Sequence, residues 1–196
     1  MAGSSAETRI LDAAKTYCER WGVEKVTIDD IAVESGVSRA TLYRLFPGGK
    51  DVLFEALRVR EIGQFFEVIA ARVAATDTLE DLLVAAVVTA TNELRADEHL
   101  ALMMASEPGA TISQLTVDGL PRIIRMAAVT LAPLVAVYVP RRSANLLIDV
   151  LARLTISYFL APSDHLDLGD EASARAFLRP VIAVLAPTAP LSDQPT

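Results

Sequence analysis

Residues 38–44 read Ser-Arg-Ala-Thr-Leu-Tyr-Arg, and a lysine follows at position 50. Guanidinium, hydroxyl, phenol and ammonium donors are packed into a short stretch, with no carboxylate among them. Arg39 has the forked donors that grip O6 and N7 of a guanine, although a solvated arginine or a phosphate contact would use the same group. Ala40 and Thr41 carry small methyl-bearing groups of the kind that meet a thymine methyl. Tyr43, Arg44 and Lys50 suit phosphate oxygens, with half-buried packing the alternative for Tyr43. Ser38 sits where a helix N-cap is wanted and is better placed to cap than to read a base.

Such a cluster needs rigid elements to present it. Ser4–Glu7 reads as a capping box, followed by Ile10, Ala14, Tyr17, Cys18 and Trp21 on one helical face. This predicts a helix over 6–21 that stops at Gly22. Thr27 with Asp30 forms a second capping box, and Ile28, Ile31 and Ala32 give the next short helix an apolar face. Gly36 can take positive φ and ends it. A third helix is expected from about Arg39 to Leu45, with Leu42 and Leu45 inward, before Pro47-Gly48-Gly49 breaks the chain. Two short helices around a glycine turn, backed by a longer one, make a helix-turn-helix. Thr27 then has two compatible roles: it caps its helix, and that helix N-terminus can meet a phosphate. Asp29 and Asp30 would be repelled by phosphate and are assigned as helix-start charges.

The remainder is long-period and apolar. Helices are expected over 51–75, from Thr78 to Arg95, and over 98–106, 120–138, 141–161 and 170–186, with "EPGATISQ" as a loop. The tail after 188 is Pro-rich and is expected to be disordered. The fold class is therefore all-α, with residues 1–47 as a three-helix unit and 48–188 as a larger helical one. The single cysteine, Cys18, excludes an internal disulfide and is assigned to the core. His99 and His165 are isolated, and no metal, cofactor or catalytic pattern is recognisable, so an enzyme is disfavoured. The first residues lack the pattern of a signal peptide. The longest uncharged apolar run, 126–139, falls short of the about 20 residues needed to span a bilayer. A cytoplasmic protein without a membrane segment is expected.

Net charge is −7, but it is unevenly held. Residues 1–50 contain seven Lys/Arg and seven Asp/Glu, whereas the rest contain eleven and eighteen. The acidity thus belongs to the second region, and like-charge repulsion would hold that region off a polyanion.

The stretch "ILDAAKTYCERWGVEKVTIDDIAVESGVSRATLYRLFPGGKDVL", residues 10–53, resembles the DNA-binding domain of the TetR family of bacterial transcriptional repressors. The shared features are the Ala-rich first helix ending in Gly and the Thr-x-x-Asp-Ile-Ala second helix. The Gly-Val-Ser turn, Thr41-Leu42-Tyr43, Phe46 and a following lysine complete them. The link "FPGGK" is one residue longer than the family's Phe-x-x-Lys. The resemblance implies a homodimer on double-stranded DNA, with Thr27, Ser38, Arg39, Ala40, Thr41, Tyr43, Arg44 and Lys50 as DNA-contact candidates. It also implies a ligand cavity in the C-terminal helices, for which Phe65, Phe66, Ile69, Met103, Met104 and Met126 are candidates as a small, largely apolar effector's lining. The last two long helices are implied as the dimer interface, with Leu147, Leu151, Leu154, Tyr158 and Phe177 as candidates. Ligand binding would move the fourth helix and release an inverted-repeat operator. A regulator of the same fold controlled by a protein partner or by abundance is the alternative.

Overall fold

A computed structural model describes residues 5–186 apart from 107 and 118, and every regular element among them is helical. The chain divides into two compact units, residues 1–62 and 63–196. The N-cap foreseen at Ser4 and the tail after 188 lie outside the described residues.

In the first unit α1 spans Ala6–Trp21, α2 Ile28–Ser35 and α3 Arg39–Leu45; α4 spans Lys50–Val73 and continues into the second unit. The side chain that caps α1 is Ser5, one residue later than the pattern suggested; its hydroxyl accepts from Thr8 N at 3.1 Å. Ile10, Ala14, Ile31, Leu42 and Leu53 are the centre of one apolar cluster, with Val26, Val37, Phe46, Phe54 and Leu57 around them. Each large aliphatic group buried there is worth roughly 1.5–3 kcal/mol, which helices of this length need because they cannot stand alone. Leu53, Phe54 and Leu57 draw the start of α4 into this core, so the break between units falls inside α4, beyond the glycine link. Two side chains expected inside are outside: Trp21 is 59% and Leu45 37% exposed. Phe46 takes the inward position at the end of α3 that Leu45 was assigned.

The second unit contains the rest of α4 with α5 (Leu79–Ala96), α6 (Glu98–Ser106), α7 (Pro108–Thr116), α8 (Leu120–Val135), α9 (Arg141–Leu160) and α10 (Glu171–Leu185). The segment expected to be a loop is thus largely α7: Pro108 stands at its start, where a missing N–H does no harm, and Thr111 is buried. α9 packs against α8, α5 and α10 through Ala144, Leu147, Ile148, Leu151, Thr155 and Ile156. By length and composition α9 could cross a membrane, with mean hydropathy 1.3 over its apolar window. Its inward stripe packed on α5, α8 and α10, and the Asp149–Arg153 pair at 3.0 Å in its middle, are those of a core helix. The acidic 161–170 segment is tied down: Asp167 pairs with Arg95 at 2.8 Å, and Asn92 donates to the Gly169 carbonyl at 3.2 Å.

Candidate nucleic-acid interface

The surface of interest is built by caps. Thr27 Oγ1 accepts from Asp30 N at 3.2 Å, while Asp30 Oδ2 accepts from Thr27 N at 3.0 Å, a complete capping box. At the other end of α2, Gly36 is left-handed at φ 63°, and Val37 N donates to the Ala32 carbonyl at 3.2 Å. That closure turns the chain at once into Ser38, whose hydroxyl accepts from Thr41 N at 3.2 Å and opens α3. Arg9 Nε donates to the Ser35 carbonyl at 3.3 Å and ties α1 to this turn.

Leu42 is fully buried, and the other side of α3 therefore faces out: Arg39, Ala40, Tyr43 and Arg44 are exposed and Thr41 is half-buried. Five of the named candidates, Thr27, Ser38, Arg39, Thr41 and Lys50, have polar partners within the chain. Thr27 Oγ1 also donates to Asp30 Oδ2 at 2.6 Å, so its hydroxyl proton is already engaged, and the remaining donors for an anion at this corner are the free N–H groups of the α2 terminus. Those two bonds from Thr27 also hold the Asp30 carboxyl below the usual aspartate range. Ser38 Oγ donates to Thr41 Oγ1 at 3.1 Å, which makes it a cap on both counts and leaves the Thr41 proton for another acceptor. Lys50 Nζ donates to the Glu24 carbonyl at 3.3 Å and lies 5.9 Å from the centre of the Phe54 ring, so it braces the start of α4. Arg39 pairs with Asp29, Nε to Oδ1 at 2.8 Å. Asp29 thus has a function beyond the helix-start charge first assigned to it.

The long link is explained locally. Gly48 and Gly49 have φ of 123° and 69°, and a Cβ at Gly48 would stand 2.6 Å from Val52 Cγ2. Gly49 is covered by the Tyr43 ring, with which a Cβ would make a 3.3 Å contact. Tyr43 therefore packs one ring edge on the link while remaining 45% exposed. Sequence periodicity missed the open hollow of about 290 Å³ lined by Tyr17, Trp21, Lys25 and Asp30, because it turned Trp21 inward.

The other candidates lie elsewhere. Phe66 and Ile69 are buried, Phe65 meets Phe66 edge-to-face at 5.2 Å, and Met103, Met104 and Met126 are half-buried. Leu147 and Leu151 are buried inside the single chain, contrary to their assignment to a subunit interface, because they form the stripe of α9 that faces α8, α5 and α10. Leu154, Tyr158 and Phe177 are only half-buried, with Tyr158 edge-on to Phe177 at 5.8 Å.

This fold and surface define a helix-turn-helix DNA-binding regulator. Residues 10–57 match the family described as bacterial regulatory proteins, tetR family. HTH-type transcriptional regulators of Mycobacterium bovis and Mycobacterium tuberculosis, themselves uncharacterised, are each 28% identical over 137 residues, covering 65% of this chain and 70% of theirs. Among solved structures, the TetR-family repressor AlkX from Dietzia sp., implicated in biodegradation of n-alkanes, superposes with a TM-score of 0.68. It is 22% identical, over 92% of this chain and 96% of its own. The fatty acid degradation regulator FadR of Bacillus halodurans gives a TM-score of 0.52 at 19% identity, over 99% and 100%. Residues 10–57 are thus similar to the DNA-binding domain of that family, and the fold shared with AlkX extends over most of the chain.

Proposed function

We propose that the protein is a cytoplasmic homodimeric repressor that binds an inverted-repeat operator and is released from it by a small, largely apolar effector. The observation that carries the DNA half is the outward face of α3, with Arg39, Ala40, Tyr43 and Arg44 presented over a buried Leu42. The first unit reads the DNA, and the second dimerises and senses the effector. Arg39 contacts a base, Thr41 offers its methyl and hydroxyl, and Tyr43, Arg44, Lys50 and the α2 N-terminus contact phosphates. The dimer forms through the outer faces of α9 and α10, where Leu146, Val150, Leu154 and Tyr158 recur every fourth residue beside Phe177 and Val184. The effector occupies the Phe65–Phe66–Ile69 and Met103–Met104–Met126 region. An aliphatic compound suits these side chains, and the n-alkane and fatty acid contexts of AlkX and FadR agree with that choice. Binding tilts α4, which begins at Lys50 directly after the reading helix.

Selection of binding sites from random duplex DNA tests the first half. The expected product is an inverted repeat with half-sites one helical turn, roughly 34–36 Å, apart. Lys50→Ala should weaken selected and random DNA alike and reduce the salt slope by about one phosphate. A selected site without two-fold symmetry would overturn the dimeric assignment. For the second half, an aliphatic ligand found by thermal shift is titrated with and without operator. Linkage requires the same factor in both directions, about 5–150-fold for a typical coupling. Equal ligand affinity in both titrations would reject release and favour control by other means.

A further inference from the structure

We propose that Asp29 is a specificity-determining positioning residue: by pairing with Arg39 across the helix-turn-helix, it makes that arginine a reader of one base pair rather than a general phosphate contact. The proposal rests on Arg39 being a base reader, as argued above. Asp29 lies in the first turn of α2, and Arg39 is the first residue of α3. The Gly36 turn between the helices brings Arg39 Nε to 2.8 Å from Asp29 Oδ1. Both side chains remain largely exposed, 63% for Arg39 and 58% for Asp29. The capping box uses Asp30, so Asp29 is not required to start its helix.

A carboxylate on a surface that approaches phosphates opposes binding unless it does something there. Here it acts on Arg39 in two ways. It offsets the charge that would let Arg39 seek any phosphate on any sequence. It also restrains a long, rotamer-rich side chain before DNA arrives. Because the hold is at Nε, the terminal Nη1–Nη2 edge is left for the O6 and N7 acceptors of a guanine. Asp29 therefore lowers affinity for DNA in general and favours the site where that edge finds two acceptors.

The test is site selection from random duplex DNA with the full-length wild-type chain, Asp29→Asn, Asp29→Glu and Arg39→Ala, together with affinities for selected and random DNA. Arg39→Ala should erase the preference for one base pair in each half-site. Asp29→Asn should weaken the preference at that same pair by about two- to fivefold, the scale of an exposed ion pair, while random DNA is bound more tightly. Asp29→Glu, which keeps the charge, should recover part of the preference. Matching thermal melts confirm that the variants are folded. If Asp29→Asn tightens selected and random DNA by one common factor and leaves every base preference intact, Asp29 acts by charge alone and the proposal is overturned. If instead Arg39→Ala leaves all preferences intact, the base-reading assignment itself fails and the proposal falls with it.

Discussion

The two units begin their helices differently: a hydroxyl opens each of the first three, whereas in the second unit Thr78 caps α5 and Asp170 caps α10 but α8 and α9 rely on apolar burial along their length. α1, α2 and α3 each begin with a hydroxyl that accepts from a backbone N–H three residues on. α8 and α9 begin without a side-chain cap, and α9 is held by six buried residues along its length. Short helices carry few core groups each, so their ends must be fixed chemically, and a fixed end is also what aims a reading helix. α8 and α9 gain enough from burial to begin without a side-chain cap. The unit that must present donors to a fixed lattice of bases is thus the more tightly punctuated of the two.

The largest test of this contrast lies in α9. Leu147→Ala should destabilise the second unit by about 2–5 kcal/mol in denaturant unfolding, because that side chain is fully buried. Its neighbour Leu146 is 48% exposed, and Leu146→Ala should leave protomer stability nearly unchanged while weakening self-association in sedimentation. If the neighbours behaved alike, the division of α9 into inner and outer faces would be wrong.

Next in size is one substitution made in both units. Gly48→Ala forces a Cβ against Val52 at φ 123° and should cost about 1–3 kcal/mol, read as a lower melting temperature of the first unit. Gly109→Ala, inside α7 with nothing within 4 Å of the new Cβ, should stabilise by up to about 1 kcal/mol. Two destabilised variants would mean that α7 is not an ordinary helix.

Thr27→Ala removes a cap and should cost about 1 kcal/mol at neutral pH. The pH dependence has a definite sign. Thr27 lowers the Asp30 pKa in the folded chain, so the associated stability is present above the unfolded aspartate pKa and is lost as pH falls below about 4. The gap between the melts of wild type and Thr27→Ala should therefore narrow in acid, to what the Asp30 N to Thr27 Oγ1 bond alone contributes. A gap that stays constant with pH would exclude the Asp30 coupling.

The smallest effect belongs to the exposed ion pairs of the second unit. Glu80 pairs with Arg179 at 2.9 Å and with Arg175 at 3.3 Å, and its carboxyl is held below the usual glutamate range, chiefly by the Arg179 hydrogen bond. Glu80→Gln should lower the melting temperature slightly, and the difference should vanish at about 1 M salt. Persistence at high salt would mark the network as structural rather than screened.

How much of this was legible followed the same divide. Caps are written locally, so α1, α2, α3 and α5 could be bounded from Ser and Thr positions within a residue or two. α7 was not, since Pro, Gly, Thr and Ser dominate "PGATISQLT" and its buried Thr111 is set by tertiary packing. Periodicity also fails at helix ends, where Trp21 and Leu45 turned outward while Phe46 filled the core. It fails again where a helix is apolar over much of its circumference: on α9 both Leu146 and Leu147 could face in. On α3 the exposed donors were legible from the helical pattern. The Asp29–Arg39 pair was not, because it depends on the angle between two helices.

Cys18 is the one thiol in the chain; it is buried in the first unit, and burial pushes its pKa up to about 11. At neutral pH almost none of it is the reactive thiolate. A maleimide or disulfide reagent can then modify the folded chain only when α1 lifts from its neighbours. The labelling rate becomes a native clock for opening of the DNA-reading half.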